Sequence, residues 1–128
     1  MRLLLDTHTL LWWLTADSSL PAGVRRLIGS RNNTVLVSAA SAWEIATKVR
    51  IGRLQIAEDL ARDFDGYLAR ERFESLAITT GHGVRAGSLP GSHKDPFDRM
   101  LIAQAQIENL SVVSNDPHLD GYGVTRIW

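Results

Sequence analysis

The sequence predicts an α/β fold: a central, mostly parallel β-sheet flanked on both faces by α-helices. Short apolar β-type runs alternate with segments of helical periodicity along the whole chain. Those runs lack polar alternation, as strands covered on both faces do. Capping residues recur where a run passes into a helical segment, the kind of junction that lines the ligand crevice of open α/β sheets. At 128 residues, the chain is expected to form one domain over 1–128, since compact domains cluster near ~100–150 residues. A chain of this size buries roughly 68% of its unfolded surface, enough for a core without covalent staples.

The β-type runs are Leu3–Leu5, Thr34–Val37, Ser75–Ile78, Val112–Val113 and Val124–Ile127. Helical patterning covers 7–14, 21–29, 41–51, 58–72, 80–88 and 96–108. Asp6 stands where the first run ends and can cap the helix through Leu10–Leu14. Ser41-Ala-Trp-Glu44 has capping-box spacing, with Ser41 as N-cap and Glu44 at the third helical position. Asp95-Pro96 puts an N-cap aspartate before a proline at the first helical position, a favoured order. Asp116 follows the run Ser111–Ser114 and precedes Pro117, as in a turn or cap.

Composition removes several classes of function. There is no cysteine, so disulfides, thiolate metal sites and cysteine nucleophiles are excluded. The apolar N-terminus is interrupted by Asp6, Thr7, His8 and Thr9, and no apolar span of ~18 residues follows. It reads as part of the fold, with no membrane segment and a cytoplasmic location expected. The 14 basic and 14 acidic residues balance, so polyanion binding would need a local basic patch. No G-x-S-x-G elbow, phosphate-binding G-x-x-x-x-G-K-[ST] loop or H-E-x-x-H pair occurs. The four histidines lack metal-ligand spacing and read mostly as loop or surface residues.

The acids are more informative. On a helical wheel Asp98 shares a stripe with Leu101, Ile102 and Ala105, while Arg99 and Gln106, and Gln104 and Glu108, lie to its sides. A carboxylate facing a packed side is costly unless its charge is compensated. The helix N-terminus supplies about 0.3–1 kcal/mol, and a cation supplies far more. Glu44 lies opposite the stripe Ala42, Ile45, Ala46 and Val49, where a solvated pair with Lys48 at i, i+4 is the plain reading. Asp6, Asp98 and Asp116 all fall at strand ends or helix starts. If they converge, their repulsion calls for a divalent ion, and oxygen ligands suit Mg²⁺ or Mn²⁺.

Four stretches together resemble one known family: LLLDTHTLLWWL, SAASAWEIATKVRIGRL, HKDPFDRMLIAQA and VVSNDPHLDGYGVTRIW. They are similar to PIN-domain proteins, and specifically to VapC-type ribonuclease toxins of toxin–antitoxin operons. The resemblance implies a PIN-like α/β/α fold and an acidic metal site of Asp6, Glu44, Asp98 and Asp116. It also overrules the plain reading of Glu44. Thr7 and Ser114 match supporting positions beside the first and last acids, and Asp95 belongs to a DPFD form found in one branch. The implied chemistry is RNA phosphodiester hydrolysis by Mg²⁺-activated water, with Mn²⁺ able to substitute, leaving a 3′-hydroxyl and a 5′-phosphate.

Basic residues beside the acids supply a candidate RNA rim: Lys48, Arg50, Arg53, Lys94 and Arg99. The resemblance further implies a cognate antitoxin protein, and a homodimer or a hetero-oligomer with that antitoxin. The run Leu10–Leu14 is apolar on every side of a helix, so Trp12 or Trp13 is expected at an interface. Two rival readings are weighed against a nuclease. A receiver-type phosphoacceptor domain wants adjacent acids after the first strand and a lysine after the last, whereas Asp6 stands alone and Arg126 comes too late. A catalytically silent PIN-like protein-binding module predicts no RNA cleavage, or cleavage that survives loss of the acids.

Overall fold

A computed structural model of the chain describes residues 1–54 and 57–128. Five strands form one parallel sheet: β1 (Arg2–Leu5), β2 (Thr34–Ser38), β3 (Glu74–Leu76), β4 (Ser111–Val113) and β5 (Arg126–Ile127). Their order is β3-β2-β1-β4-β5. The chain moves outward from β1 to β3, then crosses back to place β4 on the other side of β1. That reversal makes the gap between the carboxyl ends of β1 and β4 the topological switch point, where such sheets bind ligands.

The helices are α1 (Thr7–Leu14), α2 (Ala22–Gly29), α3 (Ala39–Arg50), α4 (Glu58–Arg62), α5 (Phe64–Glu71), α6 (Thr80–Ser88) and α7 (Pro96–Glu108). A 3-10 helix over Pro117–Tyr122 joins β4 to β5. Side chains alternate across a strand, so β1 feeds two cores. Leu3 and Leu5 pack with Val37, Leu10, Ile28, Ile45 and Leu68 on one face. Leu4 packs with Leu36, Val112, Leu101 and Ile102 on the other, beneath α7. Burying each such side chain contributes about 1.5–3 kcal/mol, which makes the apolar runs strands covered on both faces.

Four expected elements differ in the structure. α3 begins at Ala39, and Ser38 rather than Ser41 is its N-cap, accepting from the Ala40 N–H at 3.0 Å. Strand β2 runs straight into the helix, so the first of the two serines is used and Ser41 is carried into the buried first turn. The segment 58–72 divides into α4 and α5 because Asp63 leaves helical geometry (φ −139°, ψ 55°) and its carboxylate accepts from the Gly66 N–H. A Cβ at Gly66 would lie 2.2 Å from that carboxylate, so the cap needs glycine there. The third and fifth strands are shorter than expected, because only Glu74–Leu76 and Arg126–Ile127 reach a pairing neighbour.

α1 finds internal partners for both tryptophans expected at an interface. The Trp13 indole N–H donates to Glu71 at 3.1 Å, and its ring packs tilted against Phe73. Trp12 lies between His8 and Trp128. Among the described residues no helix is long and apolar enough to cross a membrane.

Candidate metal centre

Each acid is placed by the element it ends or begins. The Asp6 backbone N–H donates to the Val113 carbonyl at 3.2 Å, which ties the end of β1 to the end of β4. Its carboxylate caps α1 through the Thr9 N–H at 2.8 Å, and the residue is buried. Asp116 caps the 3-10 helix through the His118 N–H at 3.0 Å, and its own N–H donates to the Ser114 hydroxyl at 3.0 Å. Ser114 is fully buried at the end of β4, so it anchors the turn that carries Asp116. Asp95 is the N-cap of α7 with Pro96 in the first turn, accepting from the Phe97 and Asp98 N–H groups at 2.9 and 3.2 Å.

Asp98 stands one turn into α7 on the side of Leu101, Ile102 and Ala105, all buried. Its carboxylate is half-buried and meets His93 Nε2 at 3.0 Å. Burial pushes the Asp98 carboxyl above the ordinary carboxylate value, the His93 contact opposes this, and the charges of Asp95 and Glu44 add to the rise. Asp116 goes the other way. Its partial burial, the largest single influence, is outweighed by the His118 backbone and ring and by the charges of His118 and His93. Two neighbouring acids are thus driven in opposite directions.

Glu44 departs from the sequence expectation. It does pair with Lys48, at 2.6 Å, but the carboxylate is buried rather than on a solvated face. The buried side of α3 is Ala40, Ser41, Glu44 and Ile45, while Ala46 is exposed. A polar contact turns the helix this way: the Thr7 hydroxyl donates to Glu44 Oε1 at 2.6 Å, with the Ser41 hydroxyl 3.0 Å from Thr7. Thr7→Val removes that donor and leaves a buried carboxylate oxygen unpaired, costing about 1–3 kcal/mol. Urea unfolding is expected to show a lower midpoint at unchanged slope, with Thr7→Ser restoring most of it.

Among the described residues, one group of three places ligand atoms within 4.8 Å of one another: His93, Asp98 and Asp116. Asp6 and Glu44 stand outside this compact group, although Asp98 feels the charge of Glu44. The set fits a divalent cation, because two carboxylates converge, one of them held above its usual pKa chiefly by burial. The histidines were not expected in it. His93 and His118 stack with ring centroids 5.9 Å apart and planes 18° apart, each against one of the two acids. Their positions five residues before Asp98 and two after Asp116 match no helical ligand spacing, which left them unmarked. His82 corrects the surface reading in another way. It is buried, its Nδ1 accepts from the Thr79 N–H at 3.0 Å, and its Nε2 meets Glu108 at 2.9 Å. Gln104, expected beside the apolar stripe of α7, is fully buried as well.

The basic rim divides. Lys48 is engaged by Glu44. Arg50 and Arg53 are exposed at the far end of α3, roughly 16 Å or more of helix rise from its start. Lys94 is exposed beside His93. Arg99 leaves the rim altogether, because its guanidinium donates to the carbonyls of Ala86, Leu89 and His93 at 3.0, 2.6 and 2.9 Å.

A five-stranded parallel sheet covered by helices on both faces defines an α/β/α domain. The chain belongs to the PIN domain family, whose model matches residues 3–124. Solved structures share the fold over nearly the whole chain. VapBC2 from Rickettsia felis bound to a DNA fragment from their promoter is 18% identical, with a TM-score of 0.74, covering 99% of this chain and 98% of that one. VapBC-1 from nontypeable Haemophilus influenzae is 14% identical, with a TM-score of 0.67 and coverage of 99% and 97%. DNA-bound VapBC from Salmonella typhimurium is 20% identical, with a TM-score of 0.65 and the same coverage of 99% and 97%. A comparison with curated protein sequences finds no significant match.

Proposed function

We propose that this chain is a divalent-metal-dependent ribonuclease acting as the toxin of a toxin–antitoxin pair. The observation that carries the reading is the convergence of Asp98 and Asp116 in a PIN-family fold, with Asp6 at the end of β1 tied to the end of β4 and the charge of Glu44 felt by Asp98. A bound Mg²⁺ or Mn²⁺ supplies a water of lowered pKa and stabilises charge on the phosphate oxygens. Asp98 and Asp116 are the residues that hold it, with Asp6 completing the crevice from the end of β1. Glu44, kept in place by Thr7, adds negative charge from α3. Ser114 and Asp95 position Asp116 and Asp98 through their caps. Water is the nucleophile and the 3′-oxygen is the leaving group, so the P–O3′ bond breaks and the products carry a 3′-hydroxyl and a 5′-phosphate.

Lys94, with Lys48, Arg50 and Arg53 further out, forms the positive rim that offsets phosphate repulsion. An antitoxin partner follows from the likeness to VapBC complexes. A homodimer or a complex with the antitoxin suits the apolar groove of Trp43, Ile78, Pro96, Phe97 and Met100, where Trp43 is 61% exposed. The test is cleavage of RNA by the purified protein with Mg²⁺, with EDTA, and by the Asp6→Ala variant. Cleavage is expected only for the wild type with metal. Cleavage that survives both chelation and substitution sinks the reading.

A further inference from the structure

We infer that His93 is a nitrogen ligand of the metal centre, with His118 orienting Asp116, so that the site prefers Mn²⁺ to Mg²⁺. This rests on the metal-nuclease reading and specifies its ion. His93 Nε2 lies 3.0 Å from Asp98 Oδ2, and both belong to the three-residue group within 4.8 Å that includes Asp116. Two donors in adjacent positions about an octahedral ion at ~2.1 Å stand about 3 Å apart, so this pair already has the spacing of neighbouring ligands. The contact is a hydrogen bond whose donor is set by the imidazole tautomer. Coordination through Nε2 would use the neutral ring with its single proton on Nδ1.

The ligand set matters for selectivity. Mg²⁺ favours all-oxygen sites, whereas imidazole suits transition ions, and a site with one imidazole and two carboxylates shifts preference toward them. His118 has a different part. Its ring Nδ1 lies 2.9 Å from Asp116 Oδ1, and its face stacks on His93. Partners of this kind orient ligating carboxylates, and their loss typically costs about 10–100-fold in metal affinity.

The experiment uses the full chain loaded with Mn²⁺ alone, read by pulsed electron paramagnetic resonance and by calorimetric titration. Wild type is expected to show ¹⁴N coupling to Mn²⁺, absent in both His93→Ala and His93→Gln and retained in His118→Ala. Mn²⁺ affinity is expected to fall more than about tenfold in the His93 variants, with Mg²⁺ affinity moving by less than about threefold. Tight Mn²⁺ binding without ¹⁴N coupling in wild type overturns the role of His93 and leaves the acidic metal site standing. Coupling that persists in both His93 variants also overturns it. No Mn²⁺ binding by wild type, or binding unaffected by Asp98→Asn, removes the metal-nuclease reading itself.

Discussion

Asp98→Asn is expected to lower RNA cleavage more than about 100-fold while raising the melting temperature of the metal-free protein at neutral pH. The two effects share one cause. Without an ion, burial and the charges of Asp95 and Glu44 hold the Asp98 carboxyl above its ordinary value of 3.8, against the opposing His93 contact. A folded-state pKa above the unfolded one means that the fold binds more protons between the two values. Stability therefore falls as pH rises through that window and carries a constant penalty above it. Asparagine has no proton to lose, so the advantage of the variant should be absent below pH 3.8, grow through the window and then level off. Metal reverses the comparison. At a hundred times its dissociation constant an ion adds about 2.7 kcal/mol to the wild type, roughly 10 °C at this chain length, and almost nothing to the variant. Thermal melts from pH 3 to 8, with EDTA and with Mn²⁺, check both halves. A metal-free variant that melts below wild type at pH 7 would show that Asp98 is held by its contacts rather than strained by its surroundings.

The placement of Asp98 was legible because its neighbours at i+3, i+4 and i+7 are Leu101, Ile102 and Ala105, and apolar spacing is what a sequence records best. The caps at Asp6 and Asp95 were legible for a similar reason, since capping is decided within three residues. Glu44 was read by the same wheel and misplaced. Its burial depends on a hydroxyl thirty-seven residues away, and Thr7 contributes nothing to a periodicity taken along α3. The helix start failed at Ser41 because two serines three residues apart both satisfy a cap, and only the end of β2 decides between them. His93 and His118 were out of reach of spacing rules. The loop around His93 is shaped by Arg99, and His118 by the turn that Ser114 anchors, so their meeting is a tertiary event. Strand order has the same character. Alternating strands and helices imply a parallel sheet, but the crossing that sets β4 beside β1 follows from which faces pack.

Arg99 carries the second large effect, and it separates a structural clamp from a phosphate contact. Its guanidinium reaches from α7 to the carbonyls of Ala86 and Leu89 at the end of α6, then to His93 in the connection beyond. The last carbonyls of a helix have no internal donor, and a cation there also meets the negative end of the helix dipole. Arg99→Ala strips three charge-assisted bonds from partly buried acceptors at once. Individual bonds to charged groups contribute about 1.5–3 kcal/mol and are not additive, so a loss of about 3 kcal/mol is expected from urea unfolding. Arg99→Lys should recover less than half, because one ammonium on a flexible stem does not span three diverging carbonyls as a planar fork does. Lys94→Ala is the counterpart. Lying exposed on the same loop, it is expected to stay within about 0.5 kcal/mol of wild type while flattening the salt dependence of RNA binding. The clamp also holds the His93 carbonyl, so Arg99→Ala should weaken Mn²⁺ binding with no change in salt slope, the reverse of the Lys94 pattern. If Arg99→Ala instead keeps its urea midpoint and flattens the salt slope, Arg99 belongs to the RNA rim, as its charge beside the DPFD turn first suggested.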